Sequence, residues 1–488
     1  MGPAIPPPYP WRVTGHDTDD LCFRSATDLA RRIRLKELSA REVLTAHLER
    51  IEGVNPSVNA IVTLVADRAM DAAREADDAA ARGLPLGPLH GLPIAHKDLA
   101  LTGGIRTTFG SPIYAGSVPD EDELFVERIH AAGAIVVGKT NTPEFGAGSQ
   151  TFNPVFGPTR NPYALDRTAG GSSGGAAAAL ACGMVPIADG SDLGGSLRNP
   201  ASFCNVVGFR PSPGRVPSWP SLDVGQDLSV DGPMARTVED AALLLSVMAG
   251  PDPRIPISLP GAGSVFAPPL DTEVGTPLVA WAADLAGTMP VDRRVTAIVD
   301  ASRSAFEDLG CRSEEAFPDL AGAREIFFIL RAHGFARDLG ALLDEHRDQM
   351  KATVIWNIEE GRKLTADDVA EAHRLRRTLI GRVDTFFERY KFLVMPVVQV
   401  VPFDVTVEYP TDVAGEAMTT YLDWMESCWC ITVTGHPAIS VPCGFTDEGL
   451  PVGVQIVGRR GDDLGVLRLA HAYERATGVG RRRPPHRP

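Results

Sequence analysis

Two glycine-rich turns that carry serines constrain this chain more than any other feature of its sequence. The first turn, 169–175, contains Ser172 and Ser173, and the second, 190–200, contains Ser196. Glycine tolerates positive φ and lets backbone N–H groups approach a ligand closely. A serine held between such turns is suited to act as a nucleophile beside backbone donors that stabilise an oxyanion.

Short apolar segments alternate with helical periods around these turns. The runs 92–96 and 185–188 predict buried strands, and an alanine-rich helical period, 175–183, follows the first turn. Segments 438–442 and 452–458 predict a closing pair of strands. Strand–loop–helix alternation favours parallel pairing with helices on both sides. We therefore predict an α/β fold with a large, mostly parallel mixed sheet covered by helices on both faces.

Composition excludes several classes of partner. The formal net charge is −15, which does not suit nucleic acid or anionic membranes, because phosphate contacts require clustered Lys and Arg. The longest near-apolar run, 174–188, contains Gly183 and Pro186 and is too short to span a bilayer. Seven cysteines without a regular framework indicate reduced thiols and a cytoplasmic setting. Cys428 and Cys430 are too close for a C-x₂-C metal pair, so we expect no metal.

The cationic residues include few lysines, which limits the candidate bases. Six of the 47 are lysines, and arginine cannot act as a base in a protein. Lys97 ends a short apolar strand in which alternation directs His96 and Asp98 to the other face. An unperturbed lysine has a pKa of about 10.4, so burial must lower this pKa before the amine can accept a proton. The placement of Lys97 predicts such a buried amine.

The order and spacing of these motifs resemble the amidase signature hydrolases. The resemblance extends from the first capped helix to 449–455, and it is densest from 138–141 through 156–162 to 208–211. It implies the amidase signature fold. It also implies a triad in which Ser196 is the nucleophile, Lys97 the base, and Ser172 a bridging serine that follows a cis peptide bond. Ser–Lys pairs are one of the convergent solutions to nucleophilic catalysis.

The second turn matches the family's oxyanion hole, built from the backbone N–H groups of Leu193, Gly194, Gly195 and Ser196. Many relatives carry threonine where this chain has Leu193, but the donor is the backbone, so we expect the hole to survive. Asp192 and Arg198 flank the nucleophile, and we expect them to form a structural ion pair. Ser173 supports the site or caps the helix behind the first turn.

The resemblance covers one domain with short flanking segments. We predict an irregular N-terminal arm at 1–20, a single domain at 21–480 and a basic tail at 481–488. The domain comprises a helical part at 21–82, a catalytic core at 83–250, a variable substrate-pocket region at 251–430, and a closing sheet and helix at 431–480.

The implied reaction is hydrolysis of an amide through an acyl-enzyme on Ser196, without metal or cofactor. The expected partner is a small-molecule substrate, an apolar or aryl amide, a carbamate or a cyclic amide, and a homodimer is left open. Candidates to line the pocket are Trp356, Tyr421, Trp424 and Trp429, together with Phe327 and Phe328. Aromatic residues also build cores, so these assignments depend on the tertiary structure.

Three other interpretations remain open. One branch of the family is the glutamine-hydrolysing subunit of a tRNA-dependent amidotransferase, although segment 428–436 departs from that branch. Segment 170–174 matches the G-x-S-x-G elbow of α/β-hydrolase-type serine esterases, with His436 as a candidate partner. The third is a glycine-rich phosphate-binding module, although no P-loop lysine follows these glycines.

Overall fold

The computed structural model describes residues 18–270 and 273–485. Within these ranges the α-helices are α1 (Thr18–Cys22), α2 (Ala26–Arg34), α3 (Ala40–Val58), α4 (Ala66–Ala81), α5 (Leu124–Ala131), α6 (Gly174–Ala181), α7 (Arg198–Phe203), α8 (Val238–Met248), α9 (Arg293–Ala301), α10 (Arg303–Asp308), α11 (Ala323–His346), α12 (Ala352–Lys363), α13 (Ala366–Arg389), α14 (Glu426–Thr432) and α15 (Asp463–Thr477). The strands are β1 (Ile61–Leu64), β2 (Pro93–Lys97), β3 (Ile135–Thr140), β4 (Arg160–Asn161), β5 (Ala164–Thr168), β6 (Ile187–Asp192), β7 (Val207–Arg210), β8 (Val230–Ala235), β9 (Leu278–Trp281), β10 (Arg312–Glu315), β11 (Phe392–Pro396), β12 (Asp412–Val413), β13 (Glu416–Ala417), β14 (Ala438–Phe445) and β15 (Pro451–Gly458).

Eleven of these strands form one mixed sheet in the order β1-β3-β2-β6-β8-β7-β14-β15-β11-β9-β10. Strands β3, β2 and β6 are parallel, as are β11, β9 and β10. The strands between these two blocks pair antiparallel, and β1 pairs antiparallel with β3 at one edge. The predicted α/β fold with a large mixed sheet is confirmed, and its parallel pairing lies in two blocks.

Helices cover both faces of this sheet. Neighbouring residues of β6 belong to different apolar clusters: Ile187 shares a cluster with Leu244 of α8, whereas Ala188 shares one with Ala178 of α6. Because successive side chains of a strand point to opposite faces, α8 and α6 lie on opposite sides of the sheet. The predicted two-sided cover is confirmed.

The parallel pairing of β2 with β6 brings Lys97, at the end of β2, close to the second serine turn, which begins at the end of β6. The strands pair through Ile94 with Ile187 and Ala95 with Ala188, so their carboxyl ends meet. Strand β6 begins two residues later than the predicted 185–188 and continues to Asp192, into the predicted turn. The extension arises from tertiary pairing, since residues 187–192 align with β8.

Both flanking segments differ in part from the prediction. Residues 18–20 belong to helix α1, and the rest of the predicted arm, 1–17, lies outside the described residues. The basic tail contacts the domain through two arginines: the guanidinium carbons of Arg482 and Arg483 each lie 4.0 Å from a ring centroid, of Phe445 and Phe23 respectively. Residues 486–488 lie outside the described residues.

The residues that the structure describes contain neither a membrane-spanning helix nor a cluster of metal ligands. No helix there combines the length and the apolar character that crossing a bilayer requires. No group of three or more His, Cys, Asp or Glu in these ranges is arranged to hold a metal ion. All seven cysteines are buried free thiols.

Helix α6 approaches the sheet so closely that position 175 accepts only glycine. A Cβ on Gly175 would lie 2.2 Å from Asn141 N and 2.6 Å from Ala60 O. We expect Gly175→Ala to lower the free energy of unfolding by about 1–3 kcal/mol, because backbone must move. Gly381→Ala in α13, where a Cβ would meet no atom within 4 Å, should instead raise it by about 0.5–1 kcal/mol. Urea unfolding of both variants measures the difference, and equal effects would contradict this packing.

Candidate active site

Lys97 is buried at the end of β2 between two hydroxyl groups. Its Nζ lies 2.7 Å from Ser172 Oγ and 3.0 Å from Ser191 Oγ, and the residue is 1% exposed. Burial lowers the pKa of Lys97 to about 7, although nearby carboxylates, Asp231 above all, act in the opposite direction. Near neutral pH a large fraction of the amine is therefore unprotonated and able to accept a proton.

The two faces of β2 separate this amine from the neighbouring polar residues, as alternation predicts. His96 Nδ1 lies 2.5 Å from Asp189 Oδ1, and the Thr108 backbone N–H donates to Asp98 at 3.1 Å. Asp189 Oδ2 also accepts the backbone N–H of Lys97 at 3.1 Å. These bonds hold the strand end from which the Lys97 side chain extends.

The first serine turn presents Ser172 to this amine. The Gly171–Ser172 peptide bond is cis, as the resemblance implies. Ser173 occupies the N-cap position of α6, but its side chain makes no capping hydrogen bond and its buried Oγ has no partner among the described residues. The capping role is therefore wrong. The Ser173 contact with the site comes from its backbone, whose N–H donates to Ser196 O at 3.2 Å.

Asp192 organises the second serine turn. Its carboxylate accepts the Gly195 N–H at 2.9 Å and the Leu197 N–H at 3.1 Å, and it binds the Arg198 guanidinium at 3.0 and 2.9 Å. Arg210 contacts the same residue through a hydrogen bond to its carbonyl oxygen. Burial alone would raise the pKa of Asp192, but Arg198 and Arg210 hold it well below its usual range. The predicted structural ion pair is confirmed.

The same hydrogen bonds correct the predicted oxyanion hole. The Gly195 N–H points at Asp192, so it is not available to a substrate. Gly195 is needed for another reason: its φ is +109°, and a Cβ there would lie 2.6 Å from Cys428 Cβ. In the described chain, the N–H groups of Leu193, Gly194 and Ser196 have no protein acceptor, so they are the donors that remain for an oxyanion.

Ser196 and Ser172 border one small cavity. The volume of this catalytic cavity is about 110 Å³, and its wall also includes Ser191, Leu193, Gly194 and Arg331. Lys97 contacts Ser172, and Ser172 shares the cavity with Ser196. The structure therefore brings the three predicted catalytic residues together.

Two larger cavities adjoin the catalytic cavity. One, which we call the apolar arm, has a volume of about 520 Å³ and is lined by Leu99, Leu101, Phe109, Phe145, Trp219 and Leu339. The other, the polar arm, has a volume of about 460 Å³ and is lined by Leu193, Ser229, Arg331, Phe335, Arg337 and Arg376. The apolar arm shares Leu99 and Phe145 with the catalytic cavity, and the polar arm shares Arg331 and Phe335 with it.

The predicted aromatic lining is wrong. None of Trp356, Tyr421, Trp424, Trp429, Phe327 or Phe328 lines the catalytic cavity or either arm, as far as the described residues extend. Trp424 and Trp429 are at most 1% exposed, and the Trp429 ring stacks on Phe327 at 5.0 Å. These rings form the core behind the site, because the apolar area of an aromatic side chain stabilises a core as readily as a pocket.

The geometry does not support the α/β-hydrolase interpretation. His436 is buried against the ring of Phe387, and its Nδ1 lies 2.9 Å from Thr434 Oγ1. It lines neither the catalytic cavity nor its arms. The residue that contacts Ser172 is Lys97, not a histidine.

Comparison with known proteins agrees with this geometry. The family model described as Amidase matches residues 42–467. The chain belongs to the amidase family. It is 36% identical over 458 residues to the acylamidase of Rhodococcus erythropolis, covering 93% of this chain and 96% of that protein. It is equally similar, at 37% identity over 497 residues, to the A subunit of the glutamyl-tRNA(Gln) amidotransferase of Moorella thermoacetica, covering 95% and 99%.

Among solved structures, a bacterial aryl acylamidase of the amidase signature family superimposes with a TM-score of 0.89. The two chains are 29% identical, with 96% of this chain and 99% of that chain covered. This amidase is therefore an amidohydrolase with the amidase signature fold.

Three polar residues at or near the amidase's site were not among the residues predicted from the sequence. Ser191 could have been suspected, because it lies inside the second glycine-rich turn. Its contact with Lys97, however, depends on the extension of β6. Asp231 of β8 pairs opposite Ser191, and Arg331 comes from α11. No motif marks Asp231 or Arg331, and tertiary packing alone brings Asp231 near Lys97 and Arg331 to the wall of the cavity.

We expect Asp192→Asn to destabilise the amidase strongly. The substitution leaves Arg198 and Arg210 buried without their counter-ion, and breaking such a pair costs about 3–5 kcal/mol. The exposed pair Arg74 and Asp71 provides a control, since Asp71→Asn should leave the free energy of unfolding almost unchanged. Urea denaturation followed by circular dichroism tests both variants. A stability loss for Asp192→Asn no larger than that of the control would contradict the network.

Proposed function

We propose that this amidase hydrolyses amides through an acyl-enzyme on Ser196, with Ser172 relaying protons to Lys97. The observation that carries the proposal is the contact of 2.7 Å between a serine hydroxyl and a buried lysine amine whose pKa is lowered to about 7. A lysine can act as a general base only when it is neutral, and burial is what makes it so.

The proposed reaction begins when Ser196 Oγ attacks the amide carbonyl carbon. Ser172 takes the proton of Ser196 and gives its own to Lys97 Nζ, so no charge is left on either hydroxyl. The N–H groups of Leu193, Gly194 and Ser196 stabilise the oxyanion of the tetrahedral intermediate. The proton then returns through Ser172 to the leaving nitrogen, the C–N bond breaks, and water hydrolyses the acyl-enzyme by the same relay.

The cavities favour an amide with an apolar or aryl group, a carbamate or a cyclic amide. The apolar arm opens beside the catalytic cavity at Leu99 and Phe145 and is lined largely by apolar side chains. Its volume of about 520 Å³ falls within the range of sites that hold small organic ligands. The likeness to an acylamidase and to an aryl acylamidase supports this choice.

A second candidate function follows from the relatives. The A subunit of glutamyl-tRNA(Gln) amidotransferase is as similar to this chain as the acylamidase is, which favours release of ammonia from glutamine. The apolar arm argues against it, because glutamine has no large apolar group to fill such a cavity. Parallel assays of 4-nitroaniline release from acyl 4-nitroanilides and of ammonia release from glutamine separate the two functions.

Substitution of each proposed catalytic residue should abolish anilide hydrolysis. We expect Ser196→Ala, Ser172→Ala and Lys97→Met each to lower kcat by about 10³-fold or more, since residues of one relay fail together. Ser173→Ala is the matched control, because the Ser173 hydroxyl has no hydrogen-bond partner among the described residues, and it should retain most of the activity. Near-normal hydrolysis by the Ser196 variant would refute the proposal.

The pH dependence should report the amine of Lys97. Below about pH 7 the amine is protonated and cannot accept a proton, so kcat/KM for a neutral amide should rise with pH through an apparent pKa near 7. Asp231 raises the pKa of Lys97, so Asp231→Asn should move this limb to lower pH. Asp412→Asn, at an exposed position of β12, should leave the limb in place. A limb that Asp231→Asn does not move would contradict the assignment to Lys97.

A further inference from the structure

Arg331 of α11 places a cation in the wall of the catalytic cavity. The residue is 6% exposed and borders both the catalytic cavity and the polar arm. Its Nε and Nη2 donate to Tyr421 Oη at 3.2 and 2.7 Å, and the Phe335 ring centroid lies 4.6 Å from its Cζ. Asn357 Nδ2 also donates to Tyr421 Oη at 2.7 Å. The guanidinium is therefore held in a defined orientation.

This cation has no counter-ion in the described part of the chain. No carboxylate there lies within 4 Å of the guanidinium, and its Nη1 has no protein acceptor. The other arginines of the polar arm differ: Arg337 pairs with Asp223 at 2.5 Å, and Arg376 pairs with Asp227 at 2.6 Å. A buried charge without a partner is costly, so the free site is suited to receive an anion.

We propose that Arg331 binds a carboxylate on the acyl side of the substrate, so that the substrate joins an apolar or aryl amine to an acyl group that ends in a carboxylate. This inference rests on the proposed amide hydrolysis and specifies its substrate class. The amine group enters the apolar arm past Leu99 and Phe145, and the acyl group extends past Leu193 to Arg331.

The chemistry of the catalytic cavity supports a carboxylate at this point. The planar guanidinium donates parallel N–H groups, which match the two oxygens of a carboxylate. The cavity's other described lining side chains are uncharged, consisting of hydroxyl, apolar and glycine positions. A carboxylate therefore meets a cation there and no competing anion, in a site where burial strengthens the attraction.

The test compares two nearly isosteric substrates, the mono-4-nitroanilide of succinic acid and its terminal carboxamide. Hydrogen bonds to charged groups contribute about 1.5–3 kcal/mol, so the wild-type amidase should show kcat/KM roughly 10- to 100-fold higher for the acid. Arg331→Gln should abolish this preference, mainly through KM. Arg331→Lys keeps the positive charge but loses the planar guanidinium, so this variant should keep part of the preference for the acid. Arg337→Gln, in the same arm, should preserve the ratio.

A wild-type preference for the carboxamide would overturn the proposal, and so would an equal loss on both substrates in Arg331→Gln. Calorimetric titration of the two compounds into Ser196→Ala gives the ratio of Kd values without turnover. The acid should bind roughly 10- to 100-fold more tightly than the carboxamide. The double variant Ser196→Ala/Arg331→Gln should bind the two compounds equally. Absence of hydrolysis would refute the proposed function alone, whereas equal Kd values would refute the role of Arg331.

Discussion

One carboxylate, that of Asp192, determines the shape of the turn that carries the candidate nucleophile. It binds two backbone N–H groups of the turn and the guanidinium of Arg198. Arg198 continues to Gln455 of β15 and Thr432 of α14, so the turn, the sheet and a helix from the far end of the chain share one buried network. Because every charged member is paired, this network holds the turn rigid in a low-dielectric interior.

Lys97 is buried next to that frame, with its amine 3.0 Å from the hydroxyl of Ser191. The amine would keep its proton in water, and it becomes a usable base only where desolvation outweighs the attraction of nearby carboxylates. The parallel pairing of β2 with β6 places it beside the second motif, and the first motif supplies Ser172. A paired charge at Asp192 and an amine made neutral by burial at Lys97 therefore lie side by side, at the carboxyl ends of the neighbouring strands β6 and β2.

Residue type alone did not predict which side chains line the pocket. Trp424 and Trp429 were candidates to contact the substrate because they are large and aromatic, yet both lie in the core. Smaller residues of distant segments, such as Leu99 and Phe335, line the cavities instead. In the catalytic cavity, the charged side chain that region 251–430 contributes is Arg331, which carries no motif. Composition could not distinguish these roles, since core and pocket draw on the same side chains.

The sequence by itself indicated the family and the sheet with helices on both faces, and the family resemblance marked Lys97, Ser172 and Ser196 as the candidate catalytic residues. These depend on local patterns: apolar alternation, glycine at turns, and a fixed order of motifs. The extension of β6, the loss of the Gly195 donor to Asp192, and the unpaired guanidinium of Arg331 were decided only by the tertiary structure. The first and the third arise between segments far apart in the chain, and local pattern carries no information on which distant groups meet. The Gly195 bond to Asp192 spans only three residues, but the sequence does not show where the backbone N–H groups of a turn point.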